Sequence, residues 1–272
     1  MQSNTTDKKF AGSMPKVYES FLVPLIFAPY AADIAQRLAA RRPARVLEVA
    51  AGTGAVTRAV AAALPPDVSI VATDLNQPML DVAAASGTSR PVEWRQADAM
   101  SLPFDDASFD AVVCQFGVMF FPDKPKAFTE ARRVLRPDGV YLFNVWDRIE
   151  ANEFADTVTR SLESLFPNDP PRFFVRTPHG YHDRATIERD LAAGGFARQI
   201  DFVTVSAKSR AASPHDAAVA MVQGTPLRNE IEARDPTKLG EATDVSAEAI
   251  AQRFGRGAVE GNIQAHVIAA CL

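Results

Sequence analysis

The stretch Val46-Leu47-Glu48-Val49-Ala50-Ala51-Gly52-Thr53-Gly54 is a short apolar strand that runs directly into two glycines and then into a helical pattern from Ala55 to Leu64. Glycines at such a corner let the backbone take angles that a Cβ forbids and let it approach a ligand closely. The helix behind them opens with unpaired N–H groups, so a nucleotide-like cofactor belongs at this corner. Asp74 strengthens the reading. It ends the next apolar run, about 20 residues beyond Gly54, where an acid can accept from both hydroxyls of a ribose.

Outward from the corner, the chain between Arg45 and Trp146 alternates short β-branched runs with helical patterns, which is how a parallel sheet with crossover helices is written. Five strands are expected: Val46 to Val49, Ser69 to Thr73, Val92 to Gln96, Phe109 to Gln115 and Val140 to Trp146. The runs DAVVCQF and VYLFNVW lack the polar alternation of a surface strand, as strands buried on both faces do. Between the last two, Pro125 to Leu135 spaces Ala127, Phe128, Ala131, Val134 and Leu135 along one helical face. Asp123 stands at its N-cap, and Arg136-Pro137-Asp138-Gly139 stops it. A further helix after Asn76 has Pro78 in its first turn.

Beyond residue 150 the alternation fades. Pro167, Pro170, Pro171 and Pro178 make Leu165 to Pro178 a loop-rich insertion. Thr186 to Ala193 reads as a short helix ending at Gly194-Gly195, and Ile200, Phe202, Val203 and Val205 as an alternating strand. An Ala-rich helical stretch follows from Pro214 to about Gly257, and Gln264 to Leu272 reads as a last buried strand. The expected fold is a doubly wound, Rossmann-like α/β architecture with a mostly parallel seven-stranded sheet and a helical cap. Its parts are an N-terminal helical segment (1–40), the cofactor-binding core (41–150), an insertion (151–195), and the last two strands (196–272) with the cap at about 208–262.

Composition narrows the function. The 272 residues carry 29 Lys and Arg against 33 Asp and Glu, a net charge of −4, without the clustered positive patch that a nucleic-acid surface needs. The longest uncharged stretches include Ser20 to Ala32, interrupted by Pro24 and Pro29, which is short for a membrane span. The N-terminus is polar (Ser3, Asn4, Thr5, Thr6, Asp7) where a secretory signal has its apolar segment. Cys114 and Cys271 sit in apolar runs and read as packing residues in a reducing compartment, so the cytoplasm is the expected location.

Two cofactor classes use a corner of this kind. A dinucleotide site wants a third Gly or Ala where this chain has Thr57, so that helix and strand pack closely over a pyrophosphate. Glu48 would be repelled by two phosphates but attracted by the amino group or sulfonium of S-adenosylmethionine. A nicotinamide-dependent oxidoreductase of the same fold is therefore the disfavoured alternative, and a protein that binds the adenosyl ligand without catalysis is a third reading.

VLEVAAGTG, the Asp of ATDLNQPML, the Ala-Asp-Ala of QADAMSLPFDDASFDAVVCQFGVMFF and the RVLRPDG turn resemble the class I S-adenosylmethionine-dependent methyltransferases, in the broad group that includes the ubiquinone/menaquinone C-methyltransferases. The resemblance covers about residues 40–147. It departs at Ala50, where the family usually has Gly. It implies that Glu48, Ala50 and Gly52 line the methionyl part, in the loop that Thr53 and Gly54 complete. It also implies that Asp74 binds the ribose and that Leu75 and Met79 pack on the adenine. Asp98 would accept from the adenine amino group with Ala99 and Met100 nearby, while Gln115 and Phe116 border the methionyl carboxylate and the transferring methyl. The N-terminal segment is similar to one that folds over the cofactor in this group, which would bring Tyr18 to the carboxylate and Phe27 to the wall of the site. No metal is expected: His179 and His182 lack partners at ligand spacing.

Methyl transfer from a sulfonium is an in-line displacement from an already activated donor, so alignment and exclusion of water matter most. A base is needed only for an acceptor that must lose a proton. Tyr141, Asp147, His179, Tyr181 and His182 are the groups available near site-facing segments, although HGYH at 179–182 reads better as the approach to a helix. Phe154, Phe166, Phe173, Phe174, Met221, Leu227 and Phe254 in the insertion and cap suit a small hydrophobic or aromatic acceptor, or else form the cap's own core. The sequence leaves the oligomeric state open.

Overall fold

The structure is a computed structural model that describes residues 5–272. Ser3 and Asn4, part of the polar start noted above, lie outside the described residues. The elements run α1 (Met14–Val17), a π-helical stretch (Tyr18–Phe27), α2 (Ala28–Arg41), β1 (Arg45–Val49), α3 (Ala55–Ala63), β2 (Ser69–Asp74), α4 (Gln77–Ser86), β3 (Glu93–Gln96), β4 (Phe109–Gln115), α5 (Lys124–Val134) and β5 (Leu135–Trp146). They continue with α6 (Glu153–Leu165), α7 (Phe173–Arg176), α8 (Arg184–Ala193), β6 (Gln199–Ala211), α9 (Pro214–Gln223), α10 (Leu227–Arg234), α11 (Leu239–Phe254) and β7 (Val259–Cys271). The chain divides into two compact units. One holds Pro29–Trp146, Tyr181–Val205 and Ala265–Leu272; the other holds the residues up to Ala28, Asp147–Gly180 and Ser206–Gln264.

The seven strands lie in the order β3-β2-β1-β4-β5-β7-β6. The first five are parallel, with Leu47 beside Val71 and Val112, and β7 returns antiparallel to β5 with Val267 opposite Asn144. The chain winds outward from β1 to β3 and then back across to β4 and β5, so the order reverses between β1 and β4. At such a switch point the crossover loops part and leave a crevice at the carboxyl ends of the strands.

Alternating side chains of the central strands bury both faces of the sheet. Val46, Ala111, Val113, Val140 and Leu142 pack with Ile34 and Leu38 of α2 and with Val56 and Val60 of α3. Tyr141 and Phe143, one residue out of phase on β5, meet Phe128 of α5 and Phe196 on the other face, with ring centroids between 4.9 and 5.9 Å apart. This double burial is why β4 and β5 read as continuous apolar runs. Asp123 caps α5 by accepting from the Lys126 N–H at 3.0 Å, as the sequence leads one to expect.

In the other unit, α6, α9 and α11 pack together. Phe154 meets Phe254 edge-on at 5.0 Å, and Gly261 lies so close to Phe154 that a Cβ there would approach its ring to 3.1 Å. Arg176 joins the buried carboxylates of Asp7 and Glu230, tying the 3-10 turn Thr5–Lys8 to α7 and α10.

Several expectations are corrected. Pro24 and Pro29 do not interrupt the N-terminal run: helix is continuous over Met14–Arg41. The stretch around Pro24 is π-helical, and the Ala28 N–H reaches the Val23 carbonyl five residues back rather than that of Pro24. That run is long and apolar enough to cross a membrane by length and composition alone, and 44% of its most apolar window is buried within the protein. The expected helical stretch after Pro214 is present and consists of three helices, broken at Gly224-Thr225-Pro226 and at Asp235-Pro236. Phe173–Arg176 forms a helical turn within the expected loop. Cys271 is half-buried at the end of β7, where its Sγ accepts from Arg41 at 3.8 Å.

Candidate functional site

The corner after β1 is built by backbone geometry. Ala50, Gly52 and Gly54 all have positive φ (55°, 57° and 82°), so three residues in a span of five take left-handed angles and turn the chain into α3. Ala50 holds this conformation at a cost that Gly avoids, about 1–2 kcal/mol for an L-residue. Its Cβ is accommodated by Gly117, where an added Cβ would lie 2.5 Å from that of Ala50 and 2.7 Å from Cys114 Sγ. The loop is pinned to β2 at two points: the Ala51 N–H donates to the Thr73 carbonyl at 2.9 Å, and the Gly52 N–H donates to Asp74 Oδ2 at 2.8 Å. The other Asp74 oxygen accepts from the Asn76 N–H at 2.8 Å. Asp74, 7% exposed, is thus a structural anchor of the loop as well as an acid at the crevice. Burial raises its pKa, and the backbone donors of Asn76 and Gly52 pull it back.

Glu48 lies behind the loop, 3% exposed, with Oε2 accepting from Thr57 Oγ1 at 2.6 Å. Sequence reasoning treats this side chain as a carboxylate, but burial pushes its pKa up to about 8, opposed by the Thr57 hydroxyl and reinforced by Asp74. Thr57 fills the place where a dinucleotide site has a small residue and spends its hydroxyl on Glu48. Arg58, on the same helix, donates to the Thr53 carbonyl at 2.7 Å.

Around this centre the structure brings together most of the expected residues. Leu75 follows Asp74 with its side chain 47% exposed, and Met79 is buried on α4. Asp98 is half-buried, and its Oδ1 accepts from the Met100 N–H at 2.9 Å beside buried Ala99. At the end of β4, Gln115 pairs in register with Asn144, and Phe116 turns into the left-handed region (φ 52°). Tyr18 and Phe27 belong to the other unit, where their rings stack with centroids 5.1 Å apart.

The structure also adds Trp146, Tyr30 and Asn144, which the sequence reading missed, around the expected Phe116. Phe116 lies flat on Trp146, centroids 3.7 Å apart and planes 5° from parallel, and Tyr30 stands edge-on to both. The Phe116 N–H donates to Asn144 Oδ1 at 2.9 Å and to the Asn144 carbonyl at 3.2 Å, which holds the strained backbone. Only the run VYLFNVW hinted at this; the pairing itself is tertiary. Tyr141, offered above as a base, is corrected to a core residue: it is buried in the aromatic layer, and burial raises its pKa well above the usual tyrosine value. Tyr181 donates to Asp190 at 3.1 Å and is also raised by burial. His179 contacts the Asp147 carbonyl at 2.8 Å, and Asp183 caps α8, so HGYH is the approach to a helix.

Comparison with known proteins places this geometry. The family described as "Methyltransferase domain" matches residues 47–143. The ubiquinone/menaquinone biosynthesis C-methyltransferase of Idiomarina loihiensis is 32% identical over 179 residues, 58% of this chain and 68% of that protein. The chain belongs to the class I S-adenosylmethionine-dependent methyltransferases. The demethylmenaquinone methyltransferase of Lactobacillus johnsonii is 38% identical over 97 residues, 34% of this methyltransferase and 40% of the relative; the Pseudomonas aeruginosa C-methyltransferases align over 65% of theirs. The match thus spans less than two thirds of those proteins. Among solved structures, an S-adenosylmethionine-dependent methyltransferase of Thermotoga maritima (15% identity, TM-score 0.54, 95% and 96% of the two chains covered) shares the fold. So does the [4+2]-cyclase SpnF (19%, 0.53, 89% and 80%). The fold is therefore common to different reactions, and the family assignment rests on the sequence relatives. The cofactor is S-adenosylmethionine, and the oxidoreductase alternative finds no support among these relatives.

Proposed function

We propose that this protein transfers the methyl group of S-adenosylmethionine to a small, hydrophobic acceptor, with the cofactor seated at the carboxyl ends of β1, β2 and β4. The observations that carry the seating are two side chains of this corner. Thr53 Oγ1 is buried without a hydrogen-bond partner among the described residues, and apolar Leu75 stands half in solvent beside the Asp74 carboxylate. Buried hydroxyls are ordinarily paired, whereas a single exposed leucine is unremarkable by itself and counts here only for its place beside the Asp74 carboxylate. A ligand offering a polar chain, a ribose diol and a purine face supplies what both lack.

When bound, the cofactor brings a methyl group already activated on a sulfonium. The protein's own residues bind and orient. The Asp74 oxygens keep lone pairs beyond those given to Gly52 and Asn76 and accept from the ribose. Leu75 covers one purine face, and Asp98, its carboxylate fixed by the Met100 N–H, accepts from the exocyclic amino group. The Phe116–Trp146 stack, braced by Tyr30, forms a rigid apolar wall at the end of β4 that excludes water from the transfer. None of these steps needs a metal or a proton shuttle, and Tyr141 is buried away from solvent. Hydrophobic character of the acceptor is supported by the quinone C-methyltransferase relatives. The cap aromatics carry less of that argument, since Phe154 pairs with Phe254 and Phe173 with Phe174 at 5.3 Å in their own unit.

The test is transfer of labelled methyl from S-adenosylmethionine to a panel of demethylated quinols, phenols, amines and fatty acids. Label entering an organic-soluble product supports the reading. Tight cofactor binding with no label moved to any acceptor favours a non-catalytic adenosyl-binding protein instead.

A further inference from the structure

We propose that Glu48 keeps its proton in the ligand-free protein and releases it to solvent when the ammonium group of the adenosyl ligand arrives, so that binding exchanges one positive charge for another. This rests on the cofactor reading above. The O–H bond of the Glu48 carboxyl breaks, its electron pair stays on the oxygen, and the proton leaves to the buffer. A salt bridge to the ammonium forms in its place.

The geometry around Glu48 favours the neutral acid until a cation comes. The side chain projects from β1, the strand flanked by β2 and β4, and is almost fully buried. Its side-chain hydrogen bond is from Thr57 Oγ1 to Oε2 at 2.6 Å. Asp74, at the end of β2, opposes a second negative charge. From α3, Arg58 offsets this in part, and its Nη1 donates to the Thr53 carbonyl at 2.7 Å. From β4, Cys114 faces it as a neutral thiol, pushed by burial up to about 12. A carboxylate in such surroundings carries a desolvation penalty that the Thr57 hydroxyl and the Arg58 charge offset only in part.

An ammonium removes that imbalance. It brings three N–H donors and a full charge to an acid whose Oε1 accepts no hydrogen bond among the described residues, whereas a sulfonium has no donor to give. Glu48 tolerates its position because it is neutral until the ligand comes and, once ionised, recognises it.

Calorimetry of the wild-type protein with S-adenosylhomocysteine, at pH 7 in buffers of different ionisation enthalpy, counts the protons released. With the Glu48 pKa at about 8, release of roughly 0.9 proton per ligand is expected, and affinity about tenfold tighter at pH 7 than at pH 6. 5′-Methylthioadenosine, which has the adenosine and thioether but no amino-acid end, releases close to none. Glu48→Gln titrated with S-adenosylhomocysteine likewise releases close to none and loses the pH dependence. Binding of S-adenosylhomocysteine without proton release, or equal release with 5′-methylthioadenosine, overturns the proposal while leaving the cofactor reading intact. Failure of S-adenosylhomocysteine to bind at all overturns both.

Discussion

Asp74 carries two duties, and substituting it separates them. In Asp74→Ala the N–H groups of Gly52 and Asn76 both lose an acceptor at 2.8 Å. Hydrogen bonds to a charged acceptor are worth about 1.5–3 kcal/mol each, so the folded protein should lose on the order of 3 kcal/mol. The loop that these bonds hold is also the cofactor's seat, and the ribose loses its own acceptor. Affinity for S-adenosylhomocysteine should therefore fall by on the order of 100-fold or more, two or three hydrogen bonds being at stake. Asp74→Asn keeps one acceptor oxygen but turns an amide N–H₂ toward one of the two backbone donors, and should fall between wild type and Ala in both properties. Urea unfolding gives the stability and calorimetry gives the dissociation constant. An Asp74→Ala protein that unfolds at a lower urea concentration yet binds within threefold of wild type would show that the acid anchors the loop and never meets the ribose.

Three further outcomes are expected. Gly117→Ala places a methyl 2.5 Å from Ala50 Cβ and 2.7 Å from Cys114 Sγ, and this overpacking should cost about 1–3 kcal/mol by denaturant unfolding. Adding Ala50→Gly should recover part of that loss; equal losses with and without it would mean the two sites do not touch. Tyr141→Phe should leave methyl transfer within about twofold of wild type, because a phenol buried in the aromatic layer reaches no acceptor; a drop of more than tenfold would restore it as a base. Glu48 makes stability depend on pH. Its folded pKa of about 8 lies above the value of 4.5 expected unfolded, so the native state binds the extra proton. Its contribution is present in full below pH 4.5, declines as pH rises, and is gone above 8, a loss of about 3 kcal/mol by pH 7. Glu48→Gln should flatten that slope in urea titrations at pH 5 and pH 8. An unchanged slope would mean the acid is ionised throughout.

What the sequence disclosed follows from where water is excluded. β1, β2, β4 and β5 are buried on both faces, so their runs of Val, Ile, Leu and Phe could not be mistaken, and Gly52 and Gly54 marked the turn between β1 and α3. β3 lies at the sheet edge with Glu93, Arg95 and Gln96 exposed, and only Val92 and Trp94 hinted at it. The π-helical passage through Pro24 was illegible because it depends on which carbonyl the Ala28 N–H finds, a matter of geometry rather than residue type. The same holds for the site. Glu48, Asp74 and the loop glycines were visible as types at a spacing. The capture of Asp74 by the Gly52 N–H, the neutrality that burial imposes on Glu48, and the Phe116–Trp146 stack held by Asn144 all join residues distant in the chain. Ala50 was legible as a departure, but its compensation at Gly117 was not, since a missing Cβ leaves no trace in a pattern of apolar positions.

The most direct test of the account is a crystal structure of the protein with S-adenosylhomocysteine. The ribose hydroxyls are expected within hydrogen-bond distance of the Asp74 carboxylate, the purine against Leu75 and the amino-acid end at the Gly52-Thr53-Gly54 loop. A ligand lying elsewhere, with that loop bare, would contradict it.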